Sequence, residues 1–201
     1  MWLFGAYGGL ATTVVVGARA ISKGLAAPQG LTTESDAARG IAWRPLDRLV
    51  FGGHEIRATD YPTAATEIHA ATGTLPPELI RALRRDLLSQ SRNVVPGVMP
   101  NAGATIEALA DARARRATTL RGQIEAVQRD LRAFQRRHRL ERVVCVNLTS
   151  TEPALRLGAA HKSLAAFERA LDRADRRAVR PSAVYASAAA GVGMPFLHFR
   201  P

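Results

Sequence analysis

The opening stretch MWLFGAYGGLATTVVVGARA constrains this chain more than any other. A short apolar run (Trp2, Leu3, Phe4) stops at Gly5, and Gly8 and Gly9 follow within five positions. Thr12 and Thr13 then lead into an apolar segment of helical character. Strand, glycine turn, helix is the order in which a doubly wound α/β sheet seats a dinucleotide pyrophosphate. Glycine removes the Cβ that would hold the backbone away from the phosphates. The helix after it offers unpaired N–H groups and the positive end of its dipole, and the hydroxyls of Thr12 and Thr13 are further candidate donors. The spacing is G-x-x-G-G, with Tyr7 where the second glycine of the common fingerprint stands. A glycine turn that only brings a helix close to a strand would read the same way. A secretory leader is disfavoured, because no basic residue precedes the apolar run and glycine is frequent in it. The run is also shorter than the ~20 apolar residues that span a bilayer.

With 201 residues, 47% of them hydrophobic, the chain can bury a substantial core. Cys145 is the single cysteine, which excludes an intrachain disulfide and fits a reducing, cytoplasmic setting. No metal-ligand pattern stands out. The net charge of +11 raises a nucleic-acid reading. However, nearly all the cations are arginines on helical stretches mixed with Asp and Glu, and the only lysines are Lys23 and Lys162. No aromatic residues alternate with the arginines as a base-stacking surface requires. A solvated helix face fits better, and a non-enzymatic basic module that binds nucleic acid stays as the alternative from another class.

Residues 24–45 read as an irregular insertion, and LVFG at 49–52 as the second strand. Glu55 then falls at the carboxyl end of that strand, where such sheets grip the adenosine ribose; an exposed turn glutamate is the other reading. His54 reads as a structural loop histidine. Helices are expected over 61–72 and 78–88, the second opened by Pro76 and Pro77, with a loop at 93–103. A long helix is expected over 104–139. Leu120, Ile124, Val127, Leu131 and Phe134 form its apolar stripe, and Arg121, Arg129, Arg132 and Arg136 lie off that stripe. VVCVNL at 143–148 reads as a buried parallel strand. It runs into Asn147, Thr149, Ser150, Thr151 and Glu152, at the edge where open α/β sheets place ligands. A helix at 157–173, a basic linker at 176–181, a small-residue helix at 182–190 and a last strand at 196–199 complete the pattern. The class is α/β, a doubly wound, mostly parallel sheet.

Four segments together resemble one family, the myo-inositol-1-phosphate synthases (inositol-3-phosphate synthases). They are LFGAYGGLATTVVVG, LVFGGHEI at 49–56, RVVCVNLTSTEP at 142–153 and VYASAAAGVGMPFLHFRP at 184–201. The glycine turn is most similar to the shorter bacterial branch, G-x-x-G-x-x-A-T-T, here Gly5, Gly8, Ala11, Thr12 and Thr13. The resemblance runs along the whole chain but covers about the amino-terminal half of a family member.

That resemblance implies one Rossmann-like NAD-binding domain over residues 1–201, without the family's carboxy-terminal catalytic and tetramerisation domain. It implies conversion of D-glucose 6-phosphate to 1D-myo-inositol 3-phosphate. In that reaction NAD oxidises the sugar at C5, an enolate closes the ring onto the C1 aldehyde, and the hydride returns. It also implies a homo-oligomer, a tetramer in the family, with no nucleic-acid or membrane partner. Gly5, Gly8, Gly9, Thr12 and Thr13 would hold the pyrophosphate. Glu55 stands at the family's ribose-binding aspartate, and Asn147, Thr149, Ser150 and Thr151 match the motif beside the nicotinamide half. The run ending at Pro201 would approach the cofactor from the last strand. The family's catalytic lysines lie beyond Pro201, and neither Lys23 nor Lys162 matches them, so no catalytic residue is assigned. A truncated product or a fragment is expected, with the apolar face around 196–199 uncovered. Another nicotinamide-dependent oxidoreductase on the same sheet is the runner-up.

Overall fold

Side-chain alternation in the first strand, β1 (Trp2–Phe4), sets the architecture. Trp2 and Phe4 enter one core and Leu3 the other, as the period of two requires. The computed structural model describes residues 1–115 and 119–199. Beside β1 it contains β2 (Gly52–Glu55), β3 (Val94–Pro96), β4 (Cys145–Asn147) and β5 (Phe196–His198). They form one sheet in the order β3-β2-β1-β4-β5, every neighbouring pair parallel. The chain winds outward from β1 to β3, then returns to β4 on the other side of β1. The gap between β1 and β4 is therefore the switch point, where a crevice opens at the carboxyl ends of the strands.

Helices cover both faces. On the Leu3 face lie α1 (Gly9–Ser22), α2 (Tyr61–Thr72) and α3 (Pro77–Ser91), which bury Val15, Tyr61, Leu83 and Leu87. On the Trp2 and Phe4 face lie α5 (Leu120–Arg137), α6 (Leu164–Asp172) and α7 (Pro181–Gly191), with Leu131, Phe134, Leu171 and Tyr185 at their contacts. The short α4 (Ala104–Ala108) stands between β3 and α5. The expected stripe of α5 is buried, while Arg129, Arg132 and Arg136 are exposed. Arg121 reaches across to Glu168 and Asp172 of α6. Among the described residues no helix is long and apolar enough to cross a membrane.

Several expected boundaries move. The second strand is not LVFG but GGHE. Phe51 is withdrawn from the ladder because its N–H donates to the Gln90 side chain and its carbonyl accepts from the Asn93 amide. Among the described residues, the helix expected over 104–139 is divided into α4 and α5. Asp111 accepts from the backbone N–H groups of Arg113 and Ala114, a local turn that competes with helix. Thr119 then caps a new start by accepting from Gly122. Of 157–173 only α6 is α-helical, capped by Ser163, which accepts from Ala166. In the expected linker, Arg176–Ala178 forms a 3-10 turn and Pro181 already belongs to α7. Residues 24–45 hold neither strand nor α-helix, only the 3-10 turns Thr32–Glu34 and Asp36–Ala38. On the open edge of β5, Leu197 is 55% and Phe199 67% exposed.

Candidate cofactor site

The turn after β1 is built around Gly5, whose φ of +79° lies in the left-handed region that favours glycine. The Gly5 N–H donates to the His54 carbonyl (2.9 Å), and the Gly8 N–H donates back to Gly5 (3.0 Å). A Cβ on Gly5 would stand 3.0 Å from the Leu148 carbonyl oxygen and 3.1 Å from Thr149 Cα, so this turn and the end of β4 touch through glycine. Gly8 caps α1 in extended geometry with no side-chain acceptor, and no acidic residue sits in the first helical turn. The first helical bond runs from the Thr12 N–H to Gly8 (2.9 Å). By helix geometry the N–H groups of Gly9, Leu10 and Ala11 have no acceptor within the helix and stand at its positive end, where an outside acceptor would suit them. A Cβ on Gly9 would meet nothing within 4 Å.

Tyr7 fills its place in the fingerprint without obstructing the turn. Its ring packs edge-on against Tyr61 (4.9 Å between centroids) in the core, and burial pushes its phenol up to about 12. Its main chain is clamped at both ends. The N–H donates to Glu55 Oε2 (2.8 Å), and the carbonyl accepts from Arg57 Nη2 (2.6 Å). Glu55 Oε1 also accepts from the N–H groups of Ile56 (2.8 Å) and Arg57 (3.2 Å). A carboxylate offers about four lone-pair sites, so three amide bonds leave Glu55 able to accept from one more donor.

A cavity of about 770 Å³ lies over the switch point. Gly5, Gly8, Gly9, Thr13 and Glu55 line one side; Leu148, Thr149, Ser150 and Glu152 line the other, and Val98, Met99 and Ile106 supply an apolar wall. A second cavity of about 380 Å³, with Arg57, Arg92 and Arg113, opens beside Glu55. Seven of the sequence candidates therefore meet: Gly5, Gly8, Gly9, Thr13, Glu55, Thr149 and Ser150. Thr13 Oγ1 donates to the Gly9 carbonyl (2.8 Å), so its hydroxyl is already engaged there.

The other three stand back from the cavity. Thr12 is fully buried, and among the described residues its Oγ1 has no partner. Asn147, also fully buried, accepts at Oδ1 from the Thr149 N–H (3.3 Å) and hydroxyl (2.9 Å), bracing the strand end from below. Thr151 is exposed and not among the lining residues. Pro201 lies outside the described residues. Neither lysine lines either cavity; Lys23 approaches Asp86 at 3.7 Å.

His54 belongs to β2 and is buried rather than in a loop. Trp2 Nε1 donates to its Nδ1 (2.9 Å), and because an indole N–H can only donate, His54 carries its proton on Nε2, facing Asp130 Oδ2 at 3.1 Å. Desolvation lowers its pKa, outweighing the raising effect of Asp130. Sequence reasoning also passed over Tyr185, whose one signal was to be the only aromatic in an otherwise small-residue helix. It missed Arg57 as well, which lies two residues past Glu55 and binds the glycine turn.

The family model described as myo-inositol-1-phosphate synthase, an NAD-binding domain, matches residues 41–201. Inositol-3-phosphate synthase 1 of Bacteroides thetaiotaomicron is 29% identical over 204 residues, covering 96% of this chain and 46% of that protein. The crystal structure of inositol-3-phosphate synthase from Caenorhabditis elegans shares the fold, with a TM-score of 0.79 at 18% identity over 97% of this chain and 42% of that one. The chain thus spans less than half the length of these relatives. It belongs to the myo-inositol-1-phosphate synthase family and carries that family's NAD-binding domain.

Proposed function

We propose that this chain supplies the cofactor half of an enzyme that converts D-glucose 6-phosphate to 1D-myo-inositol 3-phosphate, in a cytoplasmic setting. One observation carries the reading. The glycine turn after β1 and the polar end of β4 touch across the switch point and line the same cavity. Its volume of about 770 Å³ suits a dinucleotide. The uncapped α1 terminus suits a pyrophosphate, and the spare acceptor on Glu55 suits ribose hydroxyls.

In this reading Gly5, Gly8 and Gly9 let the diphosphate approach the first turn of α1, beside Thr13. Glu55 orients the ribose while its amide bonds hold the turn shut. Thr149 and Ser150 flank the nicotinamide half, and Thr12 and Asn147 act from behind the wall. When bound, NAD would supply a hydride acceptor that returns the hydride in the same turnover. The chain's own contribution is to hold it firmly and exclude water. In this reading the length of the relatives that this chain does not span supplies the sugar-phosphate site, the cations that stabilise its oxyanions and the contacts of a homotetramer. Calorimetric titration of the folded chain with NAD tests the assignment. We expect saturable binding at one site, and a titration without heat sinks it.

A further inference from the structure

We propose that the N-terminal end of α7 holds the two loop walls of the cleft in register, with Tyr185 and Glu152 as positioning residues for the dinucleotide; this rests on the nucleotide reading above. The first wall is the loop between β3 and α4, which contributes Val98, Met99 and Ala102 to the cavity. It is fastened by one phenol. Tyr185 Oη accepts from the Val98 N–H (2.9 Å) and donates to the Val98 carbonyl (3.0 Å). Gly97 makes room for it, since a Cβ there would lie 2.8 Å from that oxygen.

The second wall is the loop after β4. Glu152 Oε1 accepts from the Ser182 N–H (2.7 Å), and Oε2 accepts from the Ser182 hydroxyl (2.8 Å). Arg180 donates to the carbonyls of Pro153 (3.1 Å) and Ala154 (2.8 Å). The N-cap position of α7 offers no side-chain acceptor of its own, so the carboxylate of the cleft loop caps this helix from outside. A negative charge at that end is the favourable sign. The two loops also meet directly, a Cβ on Gly103 standing 3.0 Å from Pro153 Cγ. The Tyr185 ring is stacked on Phe4, the last residue of β1, at 4.0 Å. The N-terminal end of α7 thus joins the end of β1, the apolar wall and the polar strand end.

The test uses Tyr185→Phe, which keeps the ring on Phe4 and deletes the hydroxyl, and Glu152→Gln, which keeps the shape and removes the charge. NAD affinity is measured far below the unfolding transition, where a loss of global stability alone leaves the folded chain's affinity unchanged. Hydrogen exchange at the Val98 and Ser182 amides is followed in parallel. We expect each variant to weaken NAD binding about tenfold, in line with losing one well-placed group. We also expect the double variant to weaken it by less than the product of the two. Exchange at Val98 should accelerate in both single variants, which a purely local role for Glu152 would not produce. Unchanged affinity in both variants beside a binding parent overturns the inference alone, as does strictly multiplicative behaviour in the double variant. A parent chain that binds no NAD overturns the nucleotide reading and this inference with it.

Discussion

Two glycine clusters serve the same strand in opposite ways. In the cluster that follows β1, Gly5 and Gly8 are crowded by backbone, but Gly9 leaves room that the protein does not fill; a Cβ there would touch nothing. Gly52 and Gly53 lie in β2, and the protein uses all of the room they leave. A Cβ on Gly53 would sit 2.1 Å from the Leu3 carbonyl oxygen, and one on Gly52 would sit 2.8 Å from Phe134 Cε2 and 3.0 Å from the Trp2 ring. Space left open is a seat for something else. Space filled by neighbours lets large aromatics of β1 and α5 pack over a central strand. Sequence spacing alone does not separate the two uses.

The sharpest way to break this contrast is Gly53→Ala. Its methyl group would collide with backbone, which cannot rotate away, so the loss should exceed about 3 kcal/mol. We expect no cooperative thermal unfolding by circular dichroism, and a folded, stable variant would show that β2 does not lie as described. Gly5→Ala comes next. The left-handed backbone alone costs about 1–2 kcal/mol, and the contact with Leu148 adds to it. A chemical denaturation midpoint unchanged from the parent would remove the turn from the argument.

The third test concerns His54, which follows the filled pair and meets Trp2 because of it. Its folded pKa is lowered by burial, with Asp130 as the facing carboxylate. The unfolded chain therefore takes up a proton near pH 6.5 that the folded chain refuses. Stability is fully present above that pH and declines as pH falls below it, by at most about 1.4 kcal/mol per pH unit. His138, lowered chiefly by desolvation and then by Arg137, contributes with the same sign. Thermal midpoints that stay level or rise between pH 6.5 and 5 would mean the histidines are charged in the fold.

Gly9→Ala should disturb stability least, within about 1 kcal/mol either way, because alanine suits a helix and meets no neighbour there. Yet it places a methyl group in the cleft. Titration should show NAD affinity falling at least tenfold with the thermal midpoint nearly unmoved, and unimpaired binding would mean that the open position is not a seat.

Much of this was legible in the sequence because it depends on short-range patterns. β1, its glycine turn and α1 stand within twenty-two residues, and the stripe of α5 repeats at helical spacing. The polar end of β4 and the family segments were visible for the same reason. The register of β2 was not, because the apolar run before it is held out of the ladder by Gln90 and Asn93, far along the chain. The split of the long helix rests on what Asp111 and Thr119 accept locally, and apolar periodicity is blind to that. Glu152 and Tyr185 were hidden as structural residues because their partners lie 30 and 87 positions away.

The irregular segment at 24–45 has a practical consequence. It contributes no residue to either cavity, and only Ala38 within it is buried. Lengthening such a loop costs little, about 0.6 kcal/mol per doubling. It is the place to graft a fluorophore or an affinity handle, so that occupancy of the crevice can be followed by an attachment that does not touch it.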